Sequence, residues 1–282
     1  MSVVVVTGCS SGFGLETALA FGRRGDLVYA TMRDIGRGDA LPKQALSEEL
    51  DIEVLALDVT KDDSVTSTIK AIEATHGTID VLVNNAGITH LGAIETVDLS
   101  KAREVFETNY WGTVRMIQAA LPAMRAKGSG VIVNVASIAG RISPPPCSSW
   151  YAASKHAVCV LSEALAMELH DTGVRVVSLE PDFYKTEIGT KASSTSVPAG
   201  FYASDEAWIA DFYVKGVSGG GNPSEVASAI VNAVADPTTP LHVVLPLGSN
   251  ARILAGQAGS FEQTLSARLD GLEGLAGPRP SR

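Results

Sequence analysis

Runs of apolar, mostly β-branched residues alternate along this chain with stretches of helical spacing. The apolar runs at 3–7, 27–31, 52–56, 81–84, 131–135, 174–179 and 241–245 predict strands. They lack the strict apolar–polar alternation of a half-solvated strand, as expected of parallel strands buried on both faces. Amphipathic stretches at 15–23, 101–124 and 151–170 predict the helices between them. Crossovers of this kind are right-handed almost without exception, so the pattern predicts an α/β fold with a doubly wound parallel sheet and a ligand site at the carboxyl ends of its strands.

Two segments interrupt the alternation. Residues 186–222 begin small and polar (Lys191-Ala192-Ser193-Ser194-Thr195-Ser196), turn aromatic at Trp208, Phe212 and Tyr213, and end in Gly219-Gly220-Gly221. They read as an inserted substrate lid. Trp208 and Phe212 are four apart and share a helix face, either packed on the core or covering a ligand. The domain reading is a catalytic dinucleotide-binding domain over 1–250, a helical extension over 251–270 and a glycine- and proline-rich tail over 271–282 expected to be disordered.

Length and composition narrow the function classes. At 282 residues and 45% apolar content, the chain suits one elaborated domain. A net charge of −9 and no block of lysine or arginine argue against a nucleic-acid partner. Three cysteines, Cys9, Cys147 and Cys159, lack metal-ligand spacing and suit a reducing compartment. The apolar start Met1–Val6 has no basic region before it, and no stretch reaches the length of a membrane span, so a cytoplasmic protein is expected.

The chemistry sits just after the strands. Thr7-Gly8-Cys9-Ser10-Ser11-Gly12-Phe13-Gly14 follows the first strand and opens a helix, the context in which a glycine-rich turn lets backbone approach a pyrophosphate and aims helix amides at it. Tyr151 and Lys155 lie one helical turn apart, with a rise of about 6 Å. A free phenol has a pKa near 10, and a nearby ammonium and a cationic oxidised nicotinamide favour the phenolate, giving a usable acid/base. Each residue alone has a structural reading: a tight turn, a solvated tyrosine and lysine, a strand-end cap at Ser137, a polar spot on a helix at Asn109.

Together these motifs resemble the short-chain dehydrogenase/reductase family in its single-domain form, over about residues 2–250. The glycine turn has that family's spacing. Asn84-Asn85-Ala86-Gly87 resembles its NNAG element, Asp58-Val59 its adenine-side pair, and Asn109, Ser137, Tyr151 and Lys155 its catalytic four in order and approximate spacing. Pro181 and Thr186 match the stretch that clasps the nicotinamide carboxamide. The resemblance implies a Rossmann fold and an oxidoreductase in which Tyr151 exchanges the proton, Ser137 hydrogen-bonds the reacting oxygen and Asn109 helps hold a water linking Lys155 to solvent. Gly8, Ser10, Ser11, Gly12, Phe13, Gly14, Arg33, Asp58, Val59, Asn85, Ala86, Gly87, Tyr151, Lys155, Pro181 and Thr186 are the expected cofactor residues. A homodimer or homotetramer paired through the long helices is implied as well. The chain departs from the pattern in three places: 14 positions separate Ser137 and Tyr151, with the extra residue placed in Pro144-Pro145-Pro146-Cys147; Asp182 replaces a glycine after Pro181; and Glu180, read as a solvated or paired carboxylate without a role, precedes that proline.

In Tyr29-Ala30-Thr31-Met32-Arg33-Asp34 the expected ribose-binding acid is Met32. An arginine beside it suits a 2′-phosphate, so the cofactor expectation is NADP, with NAD left open by Asp34. Ser137, Ile138, Pro144, Trp150, Tyr151, Phe183 and Tyr184, with Trp208 and Phe212 as additions, are the expected substrate residues. Their mostly apolar character suits a hydrophobic small-molecule carbonyl or secondary alcohol. Segments 6–14 and 28–34 resemble those of hydroxysteroid and retinol dehydrogenases in the family. The alternatives are a non-catalytic dinucleotide sensor or scaffold and a sugar-nucleotide epimerase or dehydratase of the related extended fold. No metal is expected.

Overall fold

The valine-rich run that opens the chain becomes the middle of a seven-stranded parallel sheet. Its strands are β1 (Val3–Thr7), β2 (Leu27–Met32), β3 (Ile52–Ala56), β4 (Val81–Asn84), β6 (Gly130–Val135), β7 (Val174–Pro181) and β9 (His242–Leu245), in the order β3-β2-β1-β4-β6-β7-β9. A second, two-stranded pair joins β5 (His90–Leu91) to β8 (Ser193–Ser194). The computed structural model describes residues 1–142, 144–188, 193–194 and 200–247. The expected extension over 251–270, the tail over 271–282 and part of the expected lid lie outside them.

Successive residues of β1 face opposite layers. Val4 and Val6 pack with Leu19 and Phe21 of α1 (Gly12–Arg23), Leu41 of α2 (Ala40–Ser47), and Val226 and Ile230 of α8 (Pro223–Ala235). Val5 packs on the other face with Ile69 and Ile72 of α3 (Asp62–His76), Met116 and Met124 of α5 (Gly112–Lys127) and Leu165 of α6 (Ser149–Glu168). This double burial is why the strands read as unbroken apolar runs. The order reverses between β1 and β4, and the crevice at this switch point receives the loop after each strand.

The expected helix over 101–124 is not uniform. It divides into α4 (Leu99–Phe106), one π-helical turn (Glu107–Trp111) and α5. The wide turn carries Asn109, whose backbone carbonyl accepts the Thr113 hydroxyl at 2.9 Å. Gly112 then lies so close to Val59 that a Cβ would stand 2.8 Å from its Cγ2. The glycine that follows the wide turn thus answers a tertiary contact that helical periodicity does not carry.

In the region expected to form a lid, α7 (Ala203–Ser218) buries Trp208, Ile209, Phe212 and Tyr213 against Leu91, Ala93 and Cys147. Trp208 and Phe212 stack at 6.1 Å between ring centroids.

Candidate active site

Positive φ values at Gly8 (+74°) and Gly12 (+59°) shape the turn between β1 and α1. The Asn84–Gly87 segment at the end of β4 clamps it. Asn85 Nδ2 donates to the carbonyls of Thr7 at 2.8 Å and Gly8 at 3.2 Å, while the amides of Asn85 and Ala86 both donate to Thr7 Oγ1 at 3.0 Å. Asn84 donates from Nδ2 to Asn134 Oδ1 at 2.9 Å, which ties the strands beneath.

One groove runs from this turn across the switch point. Gly8, Ser10, Ser11, Gly12 and Phe13 line it with Asn85, Ala86 and Gly87; Arg33, Asp58 and Val59 stand at one end, Tyr151, Lys155 and Thr186 at the other. Gly14 lies beneath, inside α1, and Pro181 lines the neighbouring pocket. Asp58 does not project freely: its Oδ1 accepts from the Thr60 amide at 3.0 Å and hydroxyl at 2.8 Å, fixing the turn after β3. Met32 is buried against Gly38, where a Cβ would meet its Sδ at 2.2 Å. Asp34 Oδ1 accepts the Gly36 amide at 3.0 Å. Arg33 is exposed and makes no hydrogen bond or ion pair among the described residues.

These residues fit a dinucleotide. The glycine turn presents backbone rather than side chains, Arg33 stands at one end without a partner among the described residues, and a half-buried tyrosine and a buried lysine stand at the other.

Asn109 is buried, and its side chain is fully engaged. Oδ1 accepts the Ile88 amide at 2.8 Å, and Nδ2 donates to the Ile88 carbonyl and to Ser154 Oγ, both at 2.9 Å. A Cβ at Gly87 would stand 3.4 Å from both Asn109 Oδ1 and Lys155 Nζ, so the three residues meet at one point. Lys155 donates to the Val135 carbonyl at 2.7 Å and lies 5.9 Å from the centroid of the Tyr151 ring. Its ammonium therefore sits on backbone, beside the tyrosine. Ser137 caps the turn that follows β6, accepting the Ala139 amide at 3.1 Å and donating to the Pro181 carbonyl at 3.4 Å, and it lies close enough to the Tyr151 phenol to lower its pKa.

Burial sets the titration of the pair. It pushes the Tyr151 phenol up, against the lowering effect of Ser137, and brings the Lys155 ammonium down to about 8. The chain's own groups do not make the phenol acidic, because the low dielectric penalises both charged forms. The unfolded chain binds the lysine proton between about pH 8 and the ordinary 10.5, where the folded chain does not. The cost to stability is therefore full below about pH 8 and fades as pH rises through that window. Lys155→Met is expected to stabilise the cofactor-free protein at pH 7 by an amount on the order of 3 kcal/mol, less the lost hydrogen bond to Val135. Denaturant titrations at several pH values check this: the advantage should shrink toward pH 10, and a pH-independent difference would contradict it.

An apolar pocket opens beside the Tyr151 end of the groove. Of the expected substrate residues, Ser137, Ile138, Tyr151, Phe183 and Tyr184 line it, as does Phe212. Pro144 and Trp150 do not. Pro144 is exposed and Pro145 takes the wall, while Trp150, one helix position from Tyr151, faces another direction. Asp182 closes the turn after β7, accepting the amides of Phe183 at 2.8 Å and Leu247 at 2.7 Å, so its carboxylate secures backbone. Sequence reasoning missed Thr89, Ile142, Tyr213 and Val217 on this wall. Thr89 lines both cavities, and its place two residues after Gly87 was the available signal. The others come from loops and a helix whose phase is set only by packing.

Comparison with known proteins agrees with this geometry. The chain belongs to the short-chain dehydrogenase family, whose model, described as short chain dehydrogenase, matches residues 2–196. It is similar to the uncharacterized oxidoreductase YusZ of Bacillus subtilis, at 38% identity over 81% of this chain and 82% of that one. It is also similar to human retinol dehydrogenase 8, at 35% identity over 84% and 79%. A crystal structure of a short-chain dehydrogenase from Streptomyces avermitilis superposes with a TM-score of 0.80 at 33% identity, covering 97% of this chain and 96% of that one. The protein is an NAD(P)-dependent dehydrogenase/reductase with a Rossmann-like, single-domain fold. No helix among the described residues is long and apolar enough to cross a membrane.

Proposed function

We propose that the protein interconverts a carbonyl and a secondary alcohol by hydride transfer with NADP, on a hydrophobic small molecule, with Tyr151 as the acid/base. The observation that carries this reading is that Ser137 and Tyr151 line the apolar pocket together, and Tyr151 also lines the dinucleotide groove. Two hydroxyls facing one point can hold a carbonyl oxygen and stabilise the charge that develops on it. Bound cofactor supplies the hydride and, when oxidised, a positive charge that favours the phenolate. Tyr151 protonates the oxygen in reduction and takes the alcohol proton in oxidation. Lys155 holds the cofactor's ribose side of Tyr151 and, anchored on Val135, keeps a proton source beside it. Asn109 fixes Ile88 and Ser154 around that lysine.

Walls formed by Phe13, Ile138, Ile142, Phe183, Phe212 and Tyr213 support an apolar substrate. The likeness to a retinol dehydrogenase supports the same class. NADP is favoured because Arg33 takes no partner among the described residues, whereas Met32 is buried and Asp34 caps its own turn. Arg33→Ala is expected to weaken NADPH at least about tenfold while changing NADH little, since a charge-assisted hydrogen bond is lost only with the phosphate. Fluorescence titration with each cofactor checks this, and equal losses would refute a phosphate contact.

The cytoplasmic setting and the homo-oligomer are part of the proposal. Trp111, Val160 and Met167 are exposed on the π turn and α6, which supports pairing through these helices. The experiment that tests the function follows NADPH and NADH consumption separately against a panel of apolar ketones and aldehydes. Turnover with NADPH supports the proposal; binding without turnover of any member would favour the sensor.

A further inference from the structure

Glu180 was expected to be solvated or paired, and it is fully buried. A carboxylate removed from water is costly unless its oxygens are paired and hydrogen-bonded. Here Arg141 approaches in two-pronged fashion, with Nε 2.7 Å from Oε2 and Nη2 3.1 Å from Oε1. Oε1 also accepts Ser178 Oγ at 2.8 Å, lies 2.8 Å from His242 Nδ1 and is 3.6 Å from Cys159 Sγ. Glu163 faces the same group from α6, at 3.8 Å from Arg141 and 3.1 Å from His242. Burial works against ionisation, but Arg141, Ser178 and His242 outweigh it and hold the Glu180 carboxyl below the usual range.

The partner that matters is Arg141, because it ends the turn that begins at Ser137. That turn is short and closely held. Gly140 donates to the Ser137 carbonyl at 2.9 Å and Arg141 to that of Ile138 at 2.8 Å. Gly140 lies against α6, where a Cβ would meet the Lys155 carbonyl carbon at 2.8 Å, and its own carbonyl is 2.7 Å from His156 Nδ1. Glu180 anchors the far end of the turn to β7. The next residue along β7, Pro181, offers the carbonyl that accepts Ser137 Oγ at 3.4 Å.

We infer that Glu180 is a positioning residue for the reaction: its ion pair with Arg141 locks the 137–141 turn to β7, so that the Ser137 hydroxyl stays beside Tyr151 on the wall of the pocket, within reach of the substrate oxygen. The inference rests on the reading of Ser137 given under the proposed function. A displaced donor can cost catalysis heavily even when every group at the site is retained.

Steady-state kinetics on the full chain, with NADPH and one ketone that the wild type reduces, test it using Ser137→Ala, Glu180→Gln, Arg141→Gln and the double variant Glu180→Gln/Arg141→Gln. Glu180→Gln should lower kcat about tenfold or more and leave the KM for NADPH within about twofold. Its kcat–pH profile should shift to higher pH, as that of Ser137→Ala does, because the phenol loses the lowering influence of Ser137. The double variant should be no slower than the slower single variant, since both break one link. Multiplying losses, or a wild-type kcat and pH profile in a variant that binds cofactor stoichiometrically, would overturn the inference. If Glu180→Gln does not fold, the double variant carries the same test, because it removes the buried charge and its cation together. A Ser137→Ala variant as fast as wild type removes the reading of Ser137 and this inference with it. A slow Ser137→Ala beside an unimpaired Glu180→Gln removes the inference alone.

Discussion

Tyr151→Phe is expected to lower kcat on the order of a thousandfold while leaving cofactor affinity within a few-fold of wild type. Among the described residues the phenol is the one titratable side chain that lines both the groove and the apolar pocket, and Ser137 lines that pocket with it. Phenylalanine keeps the ring and its packing and removes only the group that carries the proton. Ser137 cannot replace it, because a hydroxyl of ordinary serine acidity stabilises the developing charge without neutralising it. Single-turnover reduction, compared with NADPH titration by fluorescence, separates the two effects. A Phe variant within tenfold of wild type in the chemical step would place the proton donor elsewhere.

The second large effect is expected at the glycine turn, where Gly14→Ala should reduce NADPH and NADH affinity together by about a hundredfold or more. A Cβ there would stand 2.3 Å from the Gly8 carbonyl oxygen and 2.5 Å from Asn85 Nδ2. The first is backbone, and the second already binds the Thr7 and Gly8 carbonyls, so neither can step aside without opening the clamp. Overpacking of this kind costs about 1–3 kcal/mol in stability. The loss of binding should be larger in proportion, because the displaced atoms belong to the cofactor cradle itself. Isothermal titration with both cofactors, alongside a denaturant midpoint, checks this. Unchanged affinity would show that the turn does not contact the dinucleotide.

The fold was legible in the sequence because burial on both faces leaves a local trace: the valine run at 3–7 and its counterparts fall within two residues of the observed strands. The glycine turn, the Asn84–Gly87 segment and the group of Asn109, Ser137, Tyr151 and Lys155 stood out in the sequence for a related reason. Each needs a particular residue type at a fixed offset from a strand end. What could not be read depends on partners distant in the chain. The π turn at Asn109 is followed by Gly112, which packs against Val59, 53 positions earlier in the chain. The burial of Glu180 rests on Arg141 and His242, 39 and 62 positions away. The pocket wall fell to Pro145 instead of Pro144, a one-residue difference in a loop without periodicity. Lys155 was placed near the phenol or a ribose, and its hydrogen bond to the Val135 carbonyl depends on where β6 ends against α6.

The central claim is that this chain passes a hydride between a nicotinamide and a carbonyl carbon, with Tyr151 supplying the proton. The most direct measurement incubates the protein with NADPH deuterated at the transferring position of the nicotinamide and with an apolar ketone, and reads the product by mass spectrometry. The account predicts one deuterium on the carbinol carbon of the alcohol with wild-type protein and almost none with Tyr151→Phe. Stoichiometric cofactor binding with no deuterium in any product across the ketone and aldehyde panel would contradict it.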